Sequence, residues 1–297
     1  MAPVRFDDME AVMHKTVLAL HPARRDDIAD LTTRRPLPGP GLDQVDPFLF
    51  LNHHGPQLYP PNNRGLPFGP HPHRGFETVS FILSGEMAHL DSGGHESVIG
   101  PGGVQWMTAG SGLVHAEVSP DSFKRQGGPL EILQLWVNLP PALKMAPPRY
   151  IGLQRGDIPT HEADDGRARL HLISGPYGEI AGPIDTLTGV FMSILDLAGG
   201  GRIHFDGLAG RNVFLYVVDG AVRITGREIP KWNLVTLDLA GDHLEIEGLP
   251  DARLAFGHAD PIGAPVVAHG PFVMNTVDEI REAIADYNAG KFGAVRL

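Results

Sequence analysis

From about residue 78 onward, short apolar runs alternate with glycine-rich turns. Residues 78–83 read as a strand broken at Ser84-Gly85, and residues 86–90 as the next, broken at Ser92-Gly93-Gly94. Residues 95–99 lead into Gly100-Pro101-Gly102-Gly103. Residues 104–109 and 113–118 flank Gly110-Ser111-Gly112, and the latter run stops at Pro120. Leu133, Leu135, Val137 and Leu139 are apolar at every second position, which puts them on one face of an extended strand. Short strands at this spacing predict an all-β barrel or sandwich.

Pro140-Pro141 and Pro147-Pro148 interrupt the pattern and mark a linker. A second β-rich block starts near Ala168. Its centre, residues 213–220 followed by 221–224, resembles the 79–85 and 86–90 segments. Setting Gly220 on Gly85 gives an offset of 135 residues. That register suggests a duplicated barrel, with two unrelated hairpins as the alternative. The tail has a different period. Thr276 and Glu279 form a capping box, Ile280, Ala283, Ile284 and Tyr287 share one helical face, and Gly290 suits the position past the end. One amphipathic helix is expected over residues 277–289, docked on a barrel. The resulting division is a first barrel over 1–145, a linker over 146–166, a second barrel over 167–262 and an extension with the helix over 263–297.

Composition narrows the chemistry. Glycine (37) and proline (27) are abundant among 297 residues, but there is no Gly-X-Y period and 42% of residues are hydrophobic. That excludes collagen, a disordered chain and a helical bundle. A net charge of −11 argues against nucleic-acid binding without a local basic patch. With no cysteine, disulfides, thiol catalysis and cysteine-held metals are excluded, so any metal rests on histidine and carboxylate. The longest clean apolar run, residues 213–218, is far shorter than a membrane helix. Residues 11–20 carry His14 and Lys15 and lack a signal-peptide core, so a cytoplasmic chain is expected.

Two of the histidine groupings stand out. In an extended segment, residues two apart point the same way, so His71 and His73 aim two imidazoles at one point, with Pro72 stiffening the segment. By the same rule His115 and Glu117 aim an imidazole and a carboxylate at one side. Together they form a candidate site of three histidines and one carboxylate for Fe(II), Ni, Co, Cu, Mn or Zn, leaving open positions for substrate, water or dioxygen. A chance His-x-His spacing is the alternative for the first pair taken alone.

These residues carry a resemblance. His71-x-His73-x-x-x-Glu77 with Gly85 beyond, then Gly112-Leu113-Val114-His115, resembles the two cupin motifs. Within cupins, the segments at Val45-Asp46-Pro47-Phe48-Leu49, at residues 70–79, at Val104-Gln105-Trp106-Met107-Thr108-Ala109-Gly110 and at His115-Ala116-Glu117 resemble the N-terminal domain of the pirin family. His269-Gly270-Pro271-Phe272-Val273-Met274-Asn275-Thr276 resembles its C-terminal signature. The resemblance spans about residues 20–297. It implies a bicupin, two cupin (double-stranded β-helix, jelly-roll) barrels in tandem with a C-terminal α-helix. One mononuclear metal, usually iron and so Fe(II) here, would sit in the first barrel.

The ligands it implies are His71, His73, His115 and Glu117. Glu77 stands where many other cupins place their carboxylate ligand and is expected beside the ligands rather than among them. Under the offset, His71 and His73 fall on Asp206 and Leu208, so the second barrel is expected to bind no metal; His204 and His258 read as surface or core residues. His53 and His54 read as a solvated loop, with the rim of the metal pocket as the alternative. Trp106 and Met107 read as barrel packing or pocket wall. Arg74 either balances Glu77 or faces solvent.

The implied activity is that of a quercetin 2,3-dioxygenase, which opens a flavonol ring with dioxygen and releases carbon monoxide, with Glu117 as general base. A non-enzymatic iron or redox sensor acting on a protein partner, a transcription factor or metabolic enzyme, is the competing class. A monomer is expected.

Overall fold

The structure, a computed structural model, describes residues 13–295; residues 11 and 12 of the N-terminal stretch lie outside it. Strands β1 (Val17–Pro22), β2 (Arg24–Arg25), β3 (Thr33–Leu37) and β4 (Phe48–Tyr59) open the chain. They are followed by β5 (Phe68–His73), β6 (Phe76–Ser84), β7 (Met87–Asp91), β8 (Glu96–Ile99), β9 (Val104–Thr108) and β10 (Leu113–Val118). A short helix, α1 (Asp121–Gln126), then leads to β11 (Gly128–Asn138) and β12 (Arg149–Leu153). The second half holds β13 (Thr160–Ala163), β14 (Ala168–Ser174), β15 (Pro176–Tyr177), β16 (Ile180–Ala181), β17 (Phe191–Leu197) and β18 (Arg202–Phe205). It continues with β19 (Asn212–Asp219), β20 (Ala221–Ile224), β21 (Arg227–Pro230), β22 (Asn233–Leu237), β23 (Leu244–Gly248) and β24 (Ala252–Ala259). The tail adds a ribbon of β25 (Val267–His269) and β26 (Phe272–Met274), then α2 (Val277–Asn288).

Each half closes a seven-stranded sheet against a four-stranded one. The orders are β12-β9-β6-β11-β4-β3-β2 over β5-β10-β7-β8, and β1-β22-β19-β24-β17-β14-β13 over β18-β23-β20-β21. Every strand from β3 to β11 has a counterpart at the same place in the second half, so the duplication is real. Gly85 and Gly220 occupy the same corner with φ of 80° and 72°. A Cβ there would come within 2.7 Å of the Pro129 carbonyl oxygen or 2.1 Å of that of Asp251, so a glycine is required at each.

The halves are not separate along the chain. β1 pairs with β22 of the second barrel, while β12 and β13, both inside the 146–166 stretch, pair with β9 of the first and β14 of the second. Edge positions next to β9 and β22 are thus filled by chain from across the duplication.

Leu133, Leu135 and Val137 are fully buried on one face of β11, as their period predicts. That face meets the other barrel: they share a core with Val79, Phe81 and Trp106 of the first sheet and with Phe214, Tyr216 and Ala255 of the second. The other face of β11, with Gln134 and Trp136, lines the first barrel. Helix α2 is capped by Thr276 and Glu279, each accepting from the other's backbone N–H. It buries Ile280 and Ala283 against Val114 of β10, Phe272 and Phe292. No helix of the described residues is long and apolar enough to cross a membrane.

Candidate metal centre

Antiparallel pairing of β5 with β10 sets His71 directly opposite His115 and His73 opposite Leu113. Since alternate residues share a face, all three imidazoles enter the same barrel interior. Ring centroids are 4.4 Å apart for His71–His115 and 4.9 Å for His73 with each of the others. One ring nitrogen from each lies within 4.8 Å of the other two.

The tautomers follow from the neighbours. A carbonyl can only accept, so His71 Nδ1 donates to the Gly69 carbonyl at 2.7 Å, and His73 Nδ1 to the Pro271 carbonyl at 3.2 Å. Each therefore carries its proton on Nδ1 and presents an Nε2 lone pair inward. His71 Nε2 faces His115 Nε2 at 3.0 Å. Burial, reinforced by the neighbouring imidazoles, pushes His73 down to about 3 and His115 well below its usual value, so both are neutral near pH 7. His71 and His73 thus offer inward lone pairs, and His115 Nε2 beside them completes three ring nitrogens within reach of one cation. The donor set and its outward hydrogen bonds therefore fit a borderline divalent metal.

Glu117 shares the inner face of β10 with His115 and is buried. It stands outside the group of three: Ser80 Oγ donates to Oε1 at 2.8 Å and Gln134 Nε2 donates to Oε2. Ser80 and Gln134 are themselves cross-strand partners on β6 and β11.

Glu77 lies on the opposite face of β6 from Ser80, the face that carries Val79 and Phe81 into the inter-barrel core. Its carboxyl accepts from Thr108 Oγ1 at 2.6 Å and is pushed up by burial. Trp106 belongs to the same inter-barrel core, whereas Met107 packs with Ala109, Leu113 and Tyr150 near the site.

The solvated-loop reading of both His53 and His54 is corrected, and His53 does not reach the rim of the metal pocket. Both lie on β4, not in a loop. His53 is fully buried between the barrels, with Nδ1 3.0 Å from Tyr216 Oη and Nε2 2.9 Å from Glu131 Oε1. His54 points to the other face, 2.8 Å from Thr33 Oγ1, and burial pushes it down to about 3. Arg74 is also corrected: it neither balances Glu77 nor faces solvent. It pairs with Asp286 of α2 at 2.9 Å, donates to the Ser111 carbonyl and stacks over Phe292.

The second barrel offers no such cluster among the described residues. Leu208 is core, Asp206 is hydrogen-bonded to His243, and His204 is exposed beside Glu245. His258 stacks on Phe191 and accepts from Arg211.

The sequence matches the Pirin family over residues 30–137 and the Pirin C-terminal cupin domain over residues 193–293. The chain belongs to the pirin family. It is 39% identical to a pirin-like protein of Caulobacter vibrioides over 269 residues, covering 90% of this chain and 94% of that one. It is 37% identical to a pirin of Rattus norvegicus over 269 residues, covering 88% and 87%. A crystal structure described as quercetin 2,3-dioxygenase from Acinetobacter baumannii superposes with a TM-score of 0.88 at 33% identity, covering 95% of this chain and all of the other.

Several residues around this pirin centre are absent from the sequence reading. His89 lies 5.5 Å from the His115 ring and stacks on Tyr150 at 4.0 Å. It bonds Asp91, which also holds the more exposed His95. Burial raises the Asp91 carboxyl, but its bonds to the two histidines outweigh that and bring it down to about 2. The spacing of His89 and Asp91, two apart on a strand, is the same signal that marked the ligands. Trp136, packed edge-on to His73 at 5.4 Å and stacked with Phe50 at 4.6 Å, carries no such mark.

Proposed function

We propose that this pirin is a metal-dependent oxygenase of the quercetin 2,3-dioxygenase type, cleaving a flavonol or a similar enolisable aromatic with dioxygen. The observation carrying this reading is the convergence of three imidazoles, with the outer nitrogens of His71 and His73 held by carbonyls. His71, His73 and His115 would hold one Fe(II), with Glu117 as the carboxylate beside them. When bound, the metal supplies Lewis acidity toward a substrate hydroxyl. Glu117, held as an acceptor by Ser80 and Gln134, takes the hydroxyl proton as general base. The half-buried Trp136, packed edge-on to His73, adds apolar surface beside the centre and limits water.

The test is oxidation of quercetin by Fe(II)-loaded protein, following dioxygen uptake and carbon monoxide release. Turnover is expected, with His115→Ala losing metal and activity together. Glu117→Gln is expected to keep the metal and lose about 100-fold or more in turnover.

A second reading has its own observation. The Pro271 carbonyl touches a ligand imidazole, and neighbouring Arg74 pairs with α2. Metal binding could be reported at that surface to a protein partner, without catalysis. Stoichiometric metal binding with no turnover would select it.

A further inference from the structure

The metal centre uses one end of the first barrel. A separate cavity of about 360 Å³ opens between the barrels. Its floor is the edge of the inter-barrel core, with Val104, Ile173 and Ile194. Its wall is a row of charges laid across neighbouring strands. Arg169 on β14 sits opposite Asp196 on β17, and Asp196 sits opposite Arg253 on β24. Period two puts Arg169, His171 and Ile173 on one face of β14, and Ile194 and Asp196 on the matching face of β17, so the row borders the apolar floor directly.

The charge in this cavity is unlike that of the whole protein. Three arginines (Arg155, Arg169 and Arg253) and His171 line it, against one carboxylate, Asp196. That carboxylate is already committed: Arg253 holds both its oxygens, at 2.6 and 3.1 Å, and His171 Nε2 lies 3.0 Å from Oδ2. Burial raises Asp196, yet these bonds bring it down to about 2, so it remains an anion that Arg253 and His171 satisfy. Arg169 has only a loose contact with Glu162, at 3.6 Å between half-exposed side chains. Its guanidinium retains donors for a ligand, as does the Arg253 nitrogen not used on Asp196.

We propose that this inter-barrel cavity is a second small-molecule site, independent of the metal centre, that binds an organic anion: a carboxylate or phosphate on an apolar body. The acidic group meets Arg169 and Arg253, in the paired-donor geometry that guanidinium offers planar acids. The apolar body lies on the Val104–Ile173–Ile194 floor. On a protein of net charge −11, a cavity with surplus arginines beside an apolar floor selects against cations and neutral polar solutes.

Phenyl phosphate and benzoate, titrated calorimetrically against the full chain, test this, with benzyl alcohol as the uncharged control. The two anions separate a phosphate from a carboxylate preference. Saturable one-to-one binding of at least one anion, weaker for benzyl alcohol, is expected. Arg169→Gln should lower the affinity at least ten-fold while Arg169→Lys retains part of it, and His71→Ala should leave it unchanged. Because Arg169 is half-exposed with no close partner, its variants are expected to melt like the parent. No binding, equal binding of benzyl alcohol, an affinity unmoved by Arg169→Gln, or one abolished by His71→Ala would each overturn the proposal; the last would place the anion at the metal centre.

Discussion

Lys144 is fully buried, and all three of its hydrogen bonds go to neutral oxygens: the Gly75 carbonyl, Asn138 Oδ1 and the Val273 carbonyl, at 2.7–2.9 Å. Burial pushes its ammonium from the ordinary 10.5 down to about 8. Folded protein therefore releases this proton at lower pH than unfolded chain does. Between the two values the unfolded state binds more protons, so stability rises with pH. The ammonium weakens the fold below about pH 8, and the penalty is relieved as pH climbs from 8 toward 10.5, by an amount on the order of 3 kcal/mol. Tyr59 and Tyr150, pushed up to about 12 by burial, oppose this only above about pH 10, where unfolded tyrosine ionises. Urea unfolding at several pH values should show stability rising between pH 8 and 10 in the parent protein. In Lys144→Met the rise should flatten; an equal slope in both would remove Lys144 as its source.

At the scale of the element, the β5–β6 corner is where the tail reaches the metal centre. Gly75 adopts φ of 90°, and a Cβ there would stand 2.0 Å from the Val273 carbonyl oxygen. Gly75→Ala combines a left-handed strain with a backbone clash, and should cost more than about 2 kcal/mol in urea unfolding. Moving β26 away also releases the Pro271 carbonyl from His73, so metal affinity should fall with no ligand altered. Unchanged affinity would mean that this hydrogen bond does not orient His73. The strands around this corner, the capped helix and the shared face of His71, His73 and His115 were legible because each depends on a local period of two or on a cap three residues long. The partner across a sheet was not legible. Leu133, Leu135 and Val137 announce an apolar face, but nothing in their spacing tells a barrel interior from a second barrel. His54 follows His53 in a segment that resembles a polar loop, and only pairing of β4 with β11 makes it a strand that sends the two to opposite faces. Arg74 found its carboxylate 212 residues away, on α2.

Across the whole molecule, the two barrels share an apolar core between them, and β1 belongs by hydrogen bonding to the second barrel, where its partner β22 lies more than 200 residues further along the chain. His53 of the first barrel, bonded to Tyr216 of the second, places a buried polar link inside that core. Separating the barrels would expose the apolar faces and strip an edge strand from the second, so neither half has an independent unfolding route of low cost. The protein should therefore melt in one transition. Metal held by one barrel must then stabilise both: at a free metal concentration 100-fold above the dissociation constant, linkage adds about 2.7 kcal/mol to the common transition. Stripping the metal with a chelator should lower one melting temperature without splitting it. Hydrogen exchange at the most protected amides of β19 and β24, far from the three histidines in sequence, should speed up alongside that of β6 and β11. Two separated transitions, or acceleration confined to the first barrel, would show that the shared core does not couple them.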